Sequence, residues 1–236
     1  MELRALAFDV FGTVVDWRSS VAAEVSAAAA RHGLEVAAES FADAWRGLYQ
    51  PSMDRVRRGE VGWTALDDLH RASLDELLER FGMDRLDARE REDLNLAWHR
   101  LRPWPDAPEG LRRLHARHTL CTLSNGNVAL LVDLARHGAL PFDCILSAEL
   151  CHAYKPDPRT YRMVPELLRL RPDQVMMVAA HPSDLRAAAA EGLRTAFVRR
   201  PLEWGAGGEA VADAAGFDVA AGDFVDLAAR LGLSGS

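Results

Sequence analysis

Short apolar runs alternate with helix-period stretches through the second half of the chain. Leu120–Leu123, Cys144–Leu146, Val175–Ala180 and Thr195–Val198 are apolar blocks of strand length. Between them lie amphipathic segments over roughly 107–117, 127–138, 158–169 and 183–192, each long enough for a helix. Leu3–Phe8 adds a strand at the start. Strands alternating with helices predict parallel strands joined by crossover helices, an α/β Rossmann-like doubly wound sheet. Such sheets bind ligands beyond the carboxyl ends of their strands.

Residues 17–100 break that rhythm. They hold no convincing strand but a succession of helical patterns: Ser19–Arg31, Glu39–Arg58 (kinked or broken at Pro51), Ala65–Arg80 and Ala88–His99. Glycines at 33, 59, 62 and 82 punctuate them. The pattern predicts a helical domain over 16–100, inserted into a core made of 1–15 and 101–236.

Composition narrows the class. Of 236 residues 49% are hydrophobic and 27% charged, a globular balance, and 28 basic against 35 acidic residues leave a net charge of −7. That sign argues against nucleic acid as a partner. Charges interrupt every apolar stretch, so no membrane span is expected. Met1–Arg4 runs straight into the first strand, so no signal peptide is expected. Cys121, Cys144 and Cys151 are odd in number and lack CxxC spacing. They are expected to be reduced core residues of a cytoplasmic protein rather than a disulfide frame or zinc site.

Four polar clusters fall at the ends of apolar strands. The first is Phe8-Asp9-Val10-Phe11-Gly12-Thr13, which ends a strand in an acid followed by a conformationally free glycine. A turn acid capping a helix fits the same residues. Ser124-Asn125 opens a helix, where backbone N–H groups favour an anion, although a plain turn and cap fit as well. Lys155 is stiffened by Pro156 and Pro158, although an exposed surface lysine in a turn fits as well. In Ala179-Ala180-His181-Pro182-Ser183-Asp184 a strand runs into a helix, and there Asp184 could simply complement the helix dipole.

Taken together, Asp9-Val-Phe-Gly-Thr13, Ser124-Asn125, Lys155-Pro156 and Asp184 resemble, in order and spacing, the four motifs of the haloacid dehalogenase superfamily. The resemblance spans nearly the whole chain, because the helical insertion sits where that superfamily carries its cap. Its phosphatases read Asp-x-Asp-x-Thr in the first motif, the second acid protonating the departing alkoxide. Here that position is Phe11. Loss of a general acid lowers phosphatase rates by ~10²–10⁴-fold, whereas halide leaves without a proton. The Gly-Asp pair that helps those phosphatases hold Mg²⁺ is replaced by Ala179-Ala180-His181, too few oxygen ligands for a hard cation. An Mg-dependent phosphatase remains the alternative.

The first motif is similar to that of the L-2-haloacid dehalogenases, which also carry an arginine like Arg46 on the second cap helix and a tyrosine like Tyr161 after the lysine loop. Arg46 could otherwise pair with Asp43, and Tyr161 could be a core aromatic. The resemblance implies a hydrolase that converts short L-2-haloacids to 2-hydroxy acids without metal or cofactor. Asp9 would attack the halogen-bearing carbon, expel halide and form an ester that water cleaves. Two anions at ~4 Å repel by about 4 kcal/mol at an effective dielectric of ~20, so cations are needed. Lys155 would keep Asp9 ionised, Asp184 orient Lys155, and Thr13 fix the carboxylate. Ser124 and the N–H groups of Val10 and Phe11 would hold the substrate carboxylate, and Arg46 and Asn125 the halide. His181 stands where the subgroup has asparagine, and would serve as a polar anchor or base; a structural cap fits equally. Relatives suggest a homodimer. Trp17 and Trp45 are expected near the mouth. Gly205–Ala210 has dinucleotide-like spacing, but Arg199–Trp204 separate it from the preceding strand, which favours a loop.

Overall fold

The computed structural model describes residues 2–207 and 216–233. Six parallel strands form one sheet: β1 (Ala5–Phe8), β4 (Thr119–Ser124), β5 (Cys144–Ser147), β6 (Val175–Ala179), β7 (Arg194–Val198) and β8 (Val219–Ala221). Two short strands, β2 (Val15–Asp16) and β3 (Arg102–Pro103), pair antiparallel outside it. The sheet order is β5-β4-β1-β6-β7-β8, with β1 central and in register with Thr119–Thr122 on one side and Val175–Val178 on the other. After β5 the chain crosses to the far side of β1, so the strand order reverses there and a crevice opens at the carboxyl end of β1.

Alternate residues of β1 face opposite cores. Leu6 and Phe8 join one apolar cluster, Ala5 and Ala7 a second. A strand covered on both faces must be apolar throughout, which is why the sheet-forming runs show no polar alternation. The first cluster is covered by α5 (Ala107–His115), α6 (Val128–His137) and α9 (Phe224–Arg230), and the second by α7 (Pro158–Leu168) and α8 (Pro182–Ala190).

Between β2 and β3 lie α1 (Trp17–Arg31), α2 (Ala38–Arg57), α3 (Leu66–Arg80) and α4 (Ala88–Asn95). The chain thus leaves and re-enters the sheet layer through one antiparallel ladder, Val15 opposite Pro103, clamped by Trp104 N–H on the Val14 carbonyl at 2.9 Å. Asp16 caps α1, accepting the Ser19 N–H at 3.1 Å.

Several expectations need correction. Helix α2 runs unbroken through Pro51. Proline removes the bond to the carbonyl four residues back, here Gly47, and since both residues are exposed water can satisfy that carbonyl. The expected Ala88–His99 helix splits into α4 and a 3₁₀ turn over Leu96–His99. β8 and α9, the latter capped by Asp223, were not anticipated. All three cysteines are free, but only Cys121 is fully buried. Of the glycine-rich stretch, Gly205–Gly207 follow a turn, and Gly208, Glu209 and Ala210 lie outside the described residues. No described helix is long and apolar enough to cross a membrane.

Candidate active site

Asp9 sits one residue beyond β1, its N–H bonded to the Val178 carbonyl of β6 at 3.0 Å, so the sheet itself fixes the carboxylate at the crevice. Gly12 follows with φ of +79°, where a Cβ would be strained. The turn brings Thr13 back so that its hydroxyl donates to Asp9 Oδ2 at 2.7 Å, while its Oγ1 accepts the Ala180 N–H at 3.0 Å.

Two cations flank the carboxylate. Lys155 Nζ donates to Asp9 Oδ1 at 3.3 Å and to Asp184 Oδ2 at 2.7 Å. On the other side His181 Nδ1 lies 3.0 Å from Asp9 Oδ2, and its Nε2 lies 3.0 and 3.1 Å from the two oxygens of Glu203. Buried and half-buried carboxylates and cations therefore alternate: Glu203, His181, Asp9, Lys155, Asp184. Tyr161 closes the row, donating to Asp184 Oδ1 at 2.6 Å. Burial alone would raise the Asp9 pKa, but Lys155, His181 and Thr13 outweigh it and hold the acid far below the usual carboxylate range. Burial would likewise lower the pKa of His181, yet its hydrogen bonds to Asp9 and Glu203 prevail and push it up to about 10. The Lys155 ammonium, which burial disfavours, is held charged by Asp184 and Asp9.

Lys155 rides on the loop before α7. Its N–H donates to Asn125 Oδ1 at 2.8 Å, and its carbonyl accepts from Arg57 of α2. Asn125, beyond the end of β4, is thus spent in part on positioning the lysine. Neighbouring Ser124 is fully buried, its Oγ accepting the Gly126 N–H at 3.2 Å.

A cavity of about 460 Å³ opens over this row, lined on the sheet side by Asp9, Asn125, Lys155, Tyr161, His181 and Asp184. The insertion side contributes Arg46, Tyr49 and Gln50 of α2. Phe11 and Trp204 also line it. Arg46 does not pair with Asp43, which is taken by Arg18 at 2.7 and 2.9 Å. Its guanidinium lies 4.1 Å from the centre of the Tyr49 ring and 5.5 Å from that of Trp17, and its buried Nη1 has no hydrogen-bond partner among the described residues. A buried donor left open on a cavity wall is suited to receive an anion.

Eight of the eleven expected residues line this cavity, and Thr13 holds Asp9 from behind it. Ser124 and Val10 do not line the cavity, and Ser124 is sealed beneath it. Trp17 and Trp45 are fully buried rather than at the mouth; Trp204 takes that place. Sequence reading also passed over Tyr49, Gln50 and Glu203. The first two stand three and four residues beyond Arg46 and so share its helix face, a signal that was available. Glu203 stands in a loop after β7 with no local mark.

A family model for haloacid dehalogenase-like hydrolases matches residues 3–192. The chain belongs to that family. Among its members this chain is similar to (S)-2-haloacid dehalogenase 1 of Pseudomonas sp. (strain CBS-3), with 32% identity over 210 residues covering 84% of this chain and 85% of that one. The structure of a defluorinating L-2-haloacid dehalogenase superposes with a TM-score of 0.94 at 46% identity, covering 97% of this chain and 95% of the other. A second L-2-haloacid dehalogenase structure matches at TM-score 0.94 and 47% identity, over 98% of this chain and all of its counterpart. Against the phosphatase alternative within this family, the place of the second motif-one acid is filled by Phe11, whose ring packs edge-on against Tyr49 and Trp98.

Proposed function

We propose that this haloacid dehalogenase-like hydrolase is an (S)-2-haloacid dehalogenase that converts short L-2-haloalkanoic acids to 2-hydroxy acids, with residues 16–100 as its cap and 1–15 with 101–236 as its core. One observation carries the reading: Asp9 is a buried acid kept ionised by two cations, facing an unpartnered arginine donor, with the Phe11 ring where the family's phosphatases carry their second acid. That suits a carboxylate nucleophile expelling a group that departs as an anion.

Asp9 Oδ1, held by a single contact, attacks the halogen-bearing carbon and becomes the ester's bridging oxygen, while Oδ2, held by Thr13 and His181, becomes its carbonyl oxygen. Arg46 receives the halide, supplying positive charge where negative charge develops, and Asn125 assists it. Lys155, steadied by Asp184 and Tyr161, keeps the nucleophile ionised and offsets its repulsion with the substrate carboxylate. Phe11, Tyr49 and Trp204 give that substrate an apolar wall. Ser124 supports the Asn125 turn from below. No step calls for a metal.

The test is a single turnover in ¹⁸O water with 2-chloropropionate. Label is expected in the Asp9 carboxylate and absent from the first-turnover product; the reverse distribution would mean that water attacks the substrate directly. Asp9→Asn is expected to release no halide.

A further inference from the structure

Glu203 is an acid buried for a reason. Only 4% of it is exposed, and it lies in a loop pinned to the core by Arg200, which donates to Asp106 at 2.7 and 2.9 Å and to the Thr13 carbonyl at 2.8 Å. Besides the two contacts with His181 Nε2, Glu203 Oε1 accepts from Trp17 Nε1 at 3.2 Å. Its carboxylate fills the space over Gly12, where an added Cβ would meet Oε1 at 2.1 Å. A glycine, a tryptophan and an arginine-anchored loop thus all serve to seat one carboxylate against one imidazole. Burying an unpaired carboxylate is expensive, so this seat must be matched by what it holds.

Resting on the dehalogenase reading, we infer that Glu203 is a positioning residue for the second half of the reaction: it fixes His181 so that ester formation at Asp9 itself turns His181 into the general base that cleaves the ester. In the resting row His181 stands between two carboxylates and is an imidazolium. Alkylation of Asp9 removes one of those charges, and Lys155 behind it is then no longer screened, so the imidazolium loses its proton to solvent. Glu203 still accepts from Nε2–H, which fixes the tautomer and leaves the lone pair on Nδ1, the nitrogen facing Asp9. A lone pair opposite an ester carbonyl oxygen has nothing to accept, and a water donating to Nδ1 relieves that contact beside the Asp9 carboxyl carbon.

The protons then balance. Water's oxygen bonds to the carboxyl carbon while Nδ1 takes its proton. The C–O bond to the substrate-derived group breaks and Nδ1 returns that proton to the departing alkoxide, giving the 2-hydroxy acid. Asp9 is left as a carboxylic acid and ionises to the imidazole, restoring the resting pair. One proton is released to solvent per halide, as hydrolysis of a carbon–halogen bond requires.

Quenched-flow measurement of halide and 2-hydroxy acid from L-2-chloropropionate, with intact-protein mass, tests this on Glu203→Gln and His181→Ala. Wild type should release both products in step. Glu203→Gln should release one halide per site in a burst that outruns its product formation, accumulate the ester by mass, and form product ~10²–10⁴-fold more slowly. His181→Ala, which also loses a cation beside Asp9, should show a slower burst but a larger loss in product formation, again with ester accumulating. Glu203→Asp should recover part of the product rate, and added imidazole should speed ester loss in His181→Ala. The burst itself reports a folded site, so a variant that fails to fold cannot mimic the result. A Glu203→Gln enzyme that keeps the wild-type product rate, or loses burst and product rate by the same factor while its circular dichroism stays native, overturns the inference. Absence of halide release from wild type with any 2-haloacid overturns instead the reading beneath it.

Discussion

The two walls of the cavity are built on opposite plans. On the sheet wall every charged group is partnered, and Lys155 and His181 each touch two carboxylates. On the insertion wall Arg46 leans on aromatic rings and leaves Nη1 open. A fully paired row is rigid and sets protonation states in advance; an aromatic box with one open donor waits for a charge to arrive. On the proposed function, the difference gives chemistry to the sheet and recognition to the insertion. It also explains why the sheet wall tolerates so much buried charge: hydrogen bonds satisfy each member, whereas a lone buried ion would be neutralised.

Breaking the sheet wall should have the larger effect. Lys155→Met leaves Asp9 and Asp184 without the ammonium between them, and halide release should fall by roughly 10³-fold or more, the scale of a removed electrostatic catalyst. The pH profile gives the sign. Lys155 helps depress the Asp9 pKa, so its loss should move the acid limb of kcat/KM to higher pH. The stability that ionised Asp9 contributes, present above its unfolded value near 3.8 and lost as pH falls through the lower folded value, should shrink too. An unmoved acid limb would place the nucleophile's ionisation under other control.

The insertion wall is sharpened by Arg46→Lys, which keeps a charge but not the planar stack on Tyr49. The expected loss in halide release is about 10²-fold, with weaker inhibition by added bromide and no change in the rate at which a preformed ester is hydrolysed. Equal losses in both half-reactions would erase the distinction between the two walls.

That distinction also tracks what a sequence can reveal. Asp9, Lys155 and Asp184 stand in the connections that follow strands, a few residues or fewer from a glycine or proline, so local patterning marks them and the crossover topology brings them together. Arg46 was legible only through resemblance, since Asp43 offered it a plausible partner that the fold gives to Arg18 instead. Glu203 carried no mark at all: its role depends on a loop anchored through Arg200 and Asp106, residues 94 apart in the chain. The two-residue strands β2 and β3 are too short for periodicity, and Pro51 misled because solvent, invisible in a sequence, can satisfy the carbonyl it orphans.

The smallest expected effect lies where the two walls are joined. His99, on the 3₁₀ turn that closes the insertion, places Nδ1 2.8 Å from Asp133 of α6 and Nε2 3.1 Å from Asp67 of α3, and Asp67 also accepts from Asn127 at 2.8 Å. One imidazole thus links a carboxylate of the sheet layer to one of the insertion. Burial would lower the His99 pKa, but the two acids prevail and raise it. A raised value means that the clasp contributes fully below the ordinary histidine value of 6.5 and fades as pH climbs through the folded value. His99→Gln should therefore lower Tm by about 1–3 °C at pH 6, the worth of a partly exposed ion pair in a chain of this size. The gap from wild type should narrow by pH 9.5. A gap that is constant or grows with pH would show a neutral ring acting by shape alone, and the insertion would then be held to the sheet by packing rather than by charge.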